Sequence, residues 1–142
     1  MKDRIEEIQV YAKIVGAWLT AIIARFLGGW DMWLKVLVLV VVLDFITGIL
    51  KAIYLKKLSS DISFKGGIRK ICIFIVVAVA VCMDGLFQTE ILMRTLAIGY
   101  YIAHEGISIL ENVAAVDLPV PNKLKEILEQ LKKDSDKTNG KE

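Results

Sequence analysis

Apolar residues run unbroken through long stretches of this chain, and three stretches are long enough to cross a lipid bilayer. The bilayer core requires about 20 mostly apolar helical residues. Residues 33–50 contain eight consecutive aliphatic side chains before Asp44, and residues 68–87 contain thirteen consecutive uncharged residues before Asp84. Because these runs do not alternate between polar and apolar, they favour helices over the strands of a membrane barrel. The pattern predicts an all-α membrane protein with strong transmembrane helices at about 32–55, 68–87 and 91–116.

The N-terminal segment fits two interpretations. Bulky side chains recur at helical spacing across residues 5–28 and predict a helix there. The other face of this helix carries small residues four apart, which let membrane helices approach closely and are candidates for helix packing: Gly16, Thr20, Ala24 and Gly28. The helix is either a fourth span or an amphipathic helix that lies in the membrane interface.

Basic residues concentrate between the first two strong helices and in the C-terminal tail. The connection, predicted as a loop over residues 51–70, contains Lys51, Lys56, Lys57, Lys65, Arg69 and Lys70. The positive-inside rule places this loop in the cytoplasm and, after two further crossings, the C-terminus as well. Pro119 and Pro121 end the last membrane helix. The chain therefore divides into a membrane domain, 1–118, and a basic cytoplasmic tail, 119–142, with a short amphipathic helix at 122–133.

Composition agrees with this class and offers little for catalysis. The chain has 142 residues, of which 56% are hydrophobic and 24% charged, with a net charge of +2. No nucleophile and base stand at catalytic spacing, and no phosphate-binding loop is present. One His and two cysteines ten residues apart do not form a zinc site. We therefore expect no enzymatic activity, no cofactor and no metal, and the lysines border membrane rather than a nucleic-acid surface.

Polar residues inside the apolar stretches are the candidates for function, because they are costly in lipid. Asp44, Thr47 and Gly48 share one face of their helix, which is either a helix-packing face or the wall of a water-lined path. A second stripe contains Tyr101, Glu105, Ser108 and Asn112. This stripe faces neighbouring subunits or a lumen, or else Glu105 is satisfied internally, by a basic group or by protonation.

Four short motifs resemble those of the phage holin family, which includes the clostridial toxin-secretion holins. They are DFITGILKA at 44–52, FKGGIRK at 64–70, EGISILEN at 105–112 and LPVPNKLK at 118–125. The motifs follow one another in order across residues 33 to 130. The segment that ends at Trp30 carries none of them.

The resemblance implies a non-enzymatic protein that accumulates in the bacterial cytoplasmic membrane and forms homo-oligomers. Such proteins open lesions that release an endolysin, which is a cell-wall hydrolase, or a toxin. The expected partners are further copies of the chain, anionic lipid headgroups, and the released hydrolase or toxin. A competing interpretation is a small ion or solute channel or transporter that uses Asp44 and Glu105. Another is an accessory membrane protein that acts through the 122–133 helix.

Overall fold

Five α-helices make up the computed structural model, which describes residues 1–57 and 59–139. They are α1 (Lys2–Phe26), α2 (Met32–Tyr54), α3 (Ser60–Phe87), α4 (Leu92–Ala114) and α5 (Asn122–Asn139). The described part of the chain contains no strand. The predicted all-α class is confirmed.

Three helices are long and apolar enough to cross a membrane, at Arg4–Phe26, Met32–Tyr54 and Phe64–Phe87. The N-terminal helix thus has the dimensions of a span. The sequence pattern instead predicts one of the strong spans at residues 91–116. The corresponding helix, α4, is not apolar enough to be among the three helices that could cross a membrane by length and hydropathy. The reason is its polar content, which includes Arg94, Glu105 and Asn112, all buried against the other helices. The crossing of the membrane by α4 stays a prediction.

Helix α4 is the centre of a three-helix bundle with α2 and α3. Both of these pack extensively on α4 and touch each other far less. Four side chains are fully buried where the three helices meet: Leu34 and Leu37 from α2, Val77 from α3 and Ile98 from α4. Between membrane helices such contacts stabilise through close van der Waals packing.

Helix α1 lies outside this bundle. Every described side chain from Met1 to Ile23 is exposed, and only the residue that follows the helix, Leu27, is buried in the core. Of the predicted packing strip, Gly16 has open space around it, and the hydroxyl of Thr20 donates to the carbonyl of Gly16 at 2.8 Å. At the C-terminal end of the strip, Gly28 lies against Arg94 of α4.

The predicted basic loop over 51–70 is wrong. Helix α2 continues to Tyr54 and α3 already begins at Ser60, so Lys65, Arg69 and Lys70 are helical. Two adjacent glycines at 66 and 67 cost a helix about 1 kcal/mol each relative to alanine, which does not suffice to break it. The 28 residues of α3 span about 42 Å, so its first turns extend beyond a hydrocarbon core of about 30 Å. Helix α5 likewise ends at Asn139 rather than at residue 133.

Candidate functional site

The inner faces of the bundle helices change from apolar to polar toward one end. On α2 the buried residues Leu34, Leu37 and Val41 are followed at helical spacing by Asp44. On α3, Lys70 precedes Ile73 and Val77 on the same face, and on α4 the buried Ile98 is followed two turns later by Glu105. Because three- and four-residue steps return to one helix face, these polar groups are directed into the bundle like the core residues beside them.

Lys70 joins two carboxylates from different helices. Its Nζ lies 2.6 Å from Oδ2 of Asp44 and also donates to Oε2 of Glu105. The side chains are only 18%, 10% and 5% exposed for Lys70, Asp44 and Glu105, respectively. We call these three residues the ion triad. It holds α2, α3 and α4 together, and with both carboxylates ionised it carries one negative charge in excess.

Asn112 extends this polar network toward the C-terminal end of α2. Its Nδ2 donates to Oδ1 of Asp44 at 3.1 Å and to Oγ1 of Thr47 at 3.3 Å, and its Oδ1 accepts from Nζ of Lys51 at 3.2 Å. Among the described residues, no buried side-chain nitrogen or oxygen lacks a hydrogen-bond partner. Such satisfaction is what makes buried polar groups tolerable in a low-dielectric interior.

The remaining predicted site residues take different positions. Gly48 and Asn112 face each other, since a Cβ on Gly48 would lie 3.7 Å from Nδ2 of Asn112. Tyr101 is half-buried against the apolar core, and Ser108 is half-buried on α4. Of the two interpretations of the stripe on α4, the internal ion pair of Glu105 is the one present within the single chain.

A second polar site lies at the opposite end of the bundle. Arg94 of α4 is 3% exposed and holds the turn between α1 and α2. Its Nε donates to the carbonyl of Leu27 at 2.6 Å, and one terminal nitrogen donates to the carbonyl of Gly29 at 3.2 Å. The guanidinium binds both carboxylate oxygens of Asp31 at 2.6 and 3.0 Å. We call Arg94 and Asp31 the clasp.

Asp31 serves two helices at once. Its Oδ1 also accepts from the backbone nitrogen of Leu34 at 2.9 Å and so caps the N-terminus of α2. The hydrogen bond from Arg94 is the main cause that holds the pKa of Asp31 below its usual value, against an opposing effect of burial. The clasp is therefore charged under ordinary conditions.

Asp84, near the end of α3, anchors the start of α4. Its carboxylate accepts from the hydroxyl of Thr89 at 2.6 Å and from the backbone nitrogens of Met93 and Arg94, both at 2.8 Å. A negative charge at a helix N-terminus is favourable because it meets free backbone donors and the positive end of the helix dipole. Asp84 thereby sets where α4, and with it Arg94, begins.

Sequence reasoning misses the importance of Lys70, Arg94 and Asp31. The density of charge around Lys70 predicts a loop, although its spacing to Ile73 and Val77 matches one helix face. Arg94 and Asp31 are 63 residues apart, and no local pattern links them. The described residues contain no group of three His, Cys, Asp or Glu arranged to hold a metal ion.

Residues 21–133 match the family model for the bacteriophage holin family. The chain belongs to that family. The match includes every residue of the ion triad and of the clasp, and it begins after Thr20, so most of α1 lies outside it. The family resemblance of the sequence motifs is thereby confirmed.

Several relatives cover most of this holin-family chain. A protein named "Probable holin" from Bacillus phage phi105 is 32% identical over 121 residues, which are 84% of this chain and 90% of the phage protein. An uncharacterized protein from Clostridium perfringens is 45% identical over 105 residues, with 73% and 80% of the two chains covered. One from Listeria monocytogenes is 42% identical over 108 residues, with 76% and 77% covered. No solved structure matches.

Proposed function

We propose that this multi-pass membrane protein acts as a holin. It forms homo-oligomers in the bacterial cytoplasmic membrane and opens lesions that release an endolysin or a toxin, without catalysing a reaction. The observation that carries the proposal is the holin-family match over residues 21–133, together with a relative named "Probable holin".

The buried polar network suits a protein that must wait in the membrane before it acts. A charged group exposed to lipid is expensive, and here Asp44, Glu105 and Asn112 are satisfied by residues of the same chain. The single bundle is therefore compatible with lipid. When the bundle rearranges in the assembled lesion, the same polar groups, together with Tyr101 and Ser108, supply a surface that water wets.

The two carboxylates of the ion triad provide a functional test of this role. Asp44→Asn and Glu105→Gln keep the size and hydrogen-bonding capacity of the side chains but remove their charge. We expect each variant to insert into the membrane and to lyse cells on an altered schedule. Lysis on the wild-type schedule by both variants would show that the triad charges have no part in lesion formation.

The distribution of basic residues supports an orientation. Lys51, Lys56 and Lys57 lie at the junction of α2 and α3, with Lys65 and Arg69 on the first turns of α3. The positive-inside rule places this end in the cytoplasm, where the basic residues face anionic headgroups. With α4 crossing the membrane, α5 and the C-terminus lie there too, and the clasp lies on the outer side.

Cysteine labelling from outside intact cells tests this orientation. In a chain without native cysteines, a cysteine at Ser60 should be protected from a membrane-impermeant thiol reagent, and one at Gln88 should react. Permeabilised cells, in which both must react, are the control. Reaction at Ser60 in intact cells would reverse the proposed orientation.

The lysis function itself is tested by inducible expression together with an endolysin that lacks an export signal. We expect growth to stop and the turbidity of the culture to fall. The control is the same pair with a catalytically inactive endolysin, which should stop growth without clearing the culture. Leakage of ions or small dyes with no release of the endolysin would instead favour the channel that uses Asp44 and Glu105.

A further inference from the structure

A crevice separates α2 from α3 at the end of the bundle that carries the ion triad. It consists of two adjoining cavities that share Ile49 as a lining residue. The larger, about 680 Å³, is lined by α3 residues that include Phe64, Gly67 and Ile71. The smaller, about 140 Å³, reaches Asp44 and Lys70. We call these two cavities the α2–α3 crevice.

The glycines of this crevice are not required by packing within the chain. A Cβ on Gly67 would meet nothing within 4 Å, and one on Gly66 would lie at an ordinary distance of 3.9 Å from the ring of Phe45. Glycine inside a helix weakens it relative to alanine. Gly67 instead leaves an open patch on α3, and small residues at such a position let another membrane helix approach closely.

In the described chain, α1 is the helix whose side chains are left almost entirely exposed. Its apolar stretch is as long as a span, and none of that stretch is buried. The clasp fixes its C-terminal end at the turn that joins it to α2. Lys13 lies within this stretch, is exposed, and pairs with no described side chain. A lysine at such a position is costly in lipid and calls for a negatively charged partner.

Lys13 and the ion triad lie at matching depths in the membrane. Helix α1 ends at Phe26 and α2 begins at Met32, with a turn between them. Lys13 lies about 3.5 helical turns before that turn, and Asp44 lies about 3.5 helical turns after it. At a rise of about 1.5 Å per residue, both lie about 20 Å from the turn. A second copy that crosses the membrane in the same orientation would thus present its Lys13 at the level of Asp44.

The charges at that level are complementary. Asp44 and Glu105 share the single cation Lys70, so the triad has one negative charge in excess when both carboxylates are ionised. The nearest other cation of the network, Lys51, is bound to Asn112 and not to a carboxylate. A lysine that enters the smaller cavity of the crevice would neutralise the excess charge, and its flexible stem lets the ammonium group reach Asp44 from a neighbouring helix.

We propose that the α2–α3 crevice is the docking site for α1 of a second copy of this chain, with Lys13 directed at Asp44. The two surfaces differ, so each copy offers an α1 to one neighbour and a crevice to the other. Such a head-to-tail interface generates rings or open arrays. The inference rests on the proposed function, because it specifies the contact through which the holin assembles.

Disulfide crosslinking between two differently tagged chains tests the docking mode. In chains with Cys72 and Cys82 replaced by alanine, one carries Gln9→Cys on α1 and the other carries Ile49→Cys in the crevice. By the same count of residues from the turn, these positions lie at equal depth. We expect an oxidised heterodimer in membranes. Leu50→Cys, which lies at nearly the same depth but is exposed on α2 outside the crevice, should give none when it replaces Ile49→Cys.

Two matched pairs of variants separate docking from folding. Gly67→Leu in the crevice chain should lower the crosslink yield about tenfold, and Gly85→Leu should not, although a Cβ at Gly85 also has open space on the same helix. Lys13→Gln in the other chain should lower the yield by a similar factor, whereas Lys2→Gln at the start of α1 should leave it unchanged. Lys13 contacts no other described helix in the single chain, so its variant leaves the bundle intact.

The alternatives give distinct outcomes. A disulfide that forms only within a single chain carrying both cysteines would mean that a chain's own α1 covers its crevice. The absence of any crosslink would indicate that lipid, rather than a second chain, occupies the crevice. A crosslink yield unchanged by Gly67→Leu would indicate that the contact lies elsewhere. Each of these results overturns the proposal. Crosslinking is measured without endolysin. The loss of the crosslink in a variant that still lyses cells normally would therefore refute only this docking mode. A crosslink without lysis refutes only the holin function.

Discussion

Replacing Lys70 by methionine tests whether the ion triad stabilises the bundle. Methionine retains the length and flexibility of the side chain and removes its charge. The change leaves Asp44 and Glu105, which are 10% and 5% exposed, without their shared cation. Removal of one partner from a buried ion pair costs about 3–5 kcal/mol, because the remaining charge stays buried and uncompensated.

Protonation limits this cost. Relative to the unfolded chain, where a carboxyl group has a pKa near 4, protonating one of the two carboxylates at pH 7 costs about 4 kcal/mol, at 1.36 kcal/mol for each pH unit, and it removes one of the two uncompensated charges. Lys70 retains 18% exposure, so the site is not fully enclosed. We therefore expect the free energy of unfolding to fall by about 3–4 kcal/mol, a large part of the roughly 5–15 kcal/mol typical of a folded domain.

Unfolding in mild detergent by titration with a denaturing detergent measures this loss, with tryptophan fluorescence as the signal. The matched control is Lys65→Met, because Lys65 is an exposed lysine on the same helix and such surface changes stay within about 0.5 kcal/mol. Adding Asp44→Asn and Glu105→Gln to Lys70→Met should recover most of the loss, since no buried charge then remains. Equal stability of Lys70→Met and Lys65→Met would refute the reasoning.

Three further predictions concern the clasp. Gly28 has φ +78°, and a Cβ there would lie 2.6 Å from Nε of Arg94, so Gly28→Ala should lower the free energy of unfolding by about 1–3 kcal/mol. Gly16 has open space around it, so Gly16→Ala should raise or preserve the free energy of unfolding. Equal effects of the two glycine substitutions would contradict the predicted clash at Gly28. Arg94→Lys keeps the charge but loses the bidentate geometry, so thermal denaturation in detergent should show a lower midpoint than wild type; an unchanged midpoint would mean that charge alone suffices. The pKa of Asp31 is lowered in the folded protein, so its contribution is complete above its unfolded pKa of about 4 and is lost as the pH falls through the lower folded value. The Asp31→Asn variant should therefore lose less stability than wild type as the pH falls through that acidic range. An identical dependence of stability on pH in the two proteins would exclude Asp31 as the source of the loss.

Most of the helices are predictable from the sequence because hydropathy and helical spacing are local properties. The predicted segments 5–28, 32–55 and 91–116 lie within a few residues of α1, α2 and α4. The start of α3 is not predictable in the same way, because charges and paired glycines at 65–70 resemble a loop. In the structure, those glycines are tolerated in a helix that continues beyond the bilayer core.

The candidate site is only half predictable. Asp44, Thr47, Glu105 and Asn112 stand out because polar groups inside apolar segments require a reason, and the structure brings all four together. Their shared cation is missed, since nothing local to Lys70 distinguishes it from the exposed Lys65. Which side chains become partners depends on the position of each helix along its axis relative to its neighbour. That register is set by packing between helices and not by local sequence.

The sequence by itself determined the class of this protein, the approximate course of its helices and its family, since each depends on residue order within a segment. Only the tertiary structure decided that one lysine joins two carboxylates, and that Arg94 holds a turn 63 residues away. It also decided that the apolar stretch of α1 stays unburied among the described residues. These features follow from the relative depth and rotation of helices, which are set when the apolar faces of α2, α3 and α4 pack together and determine which polar groups meet.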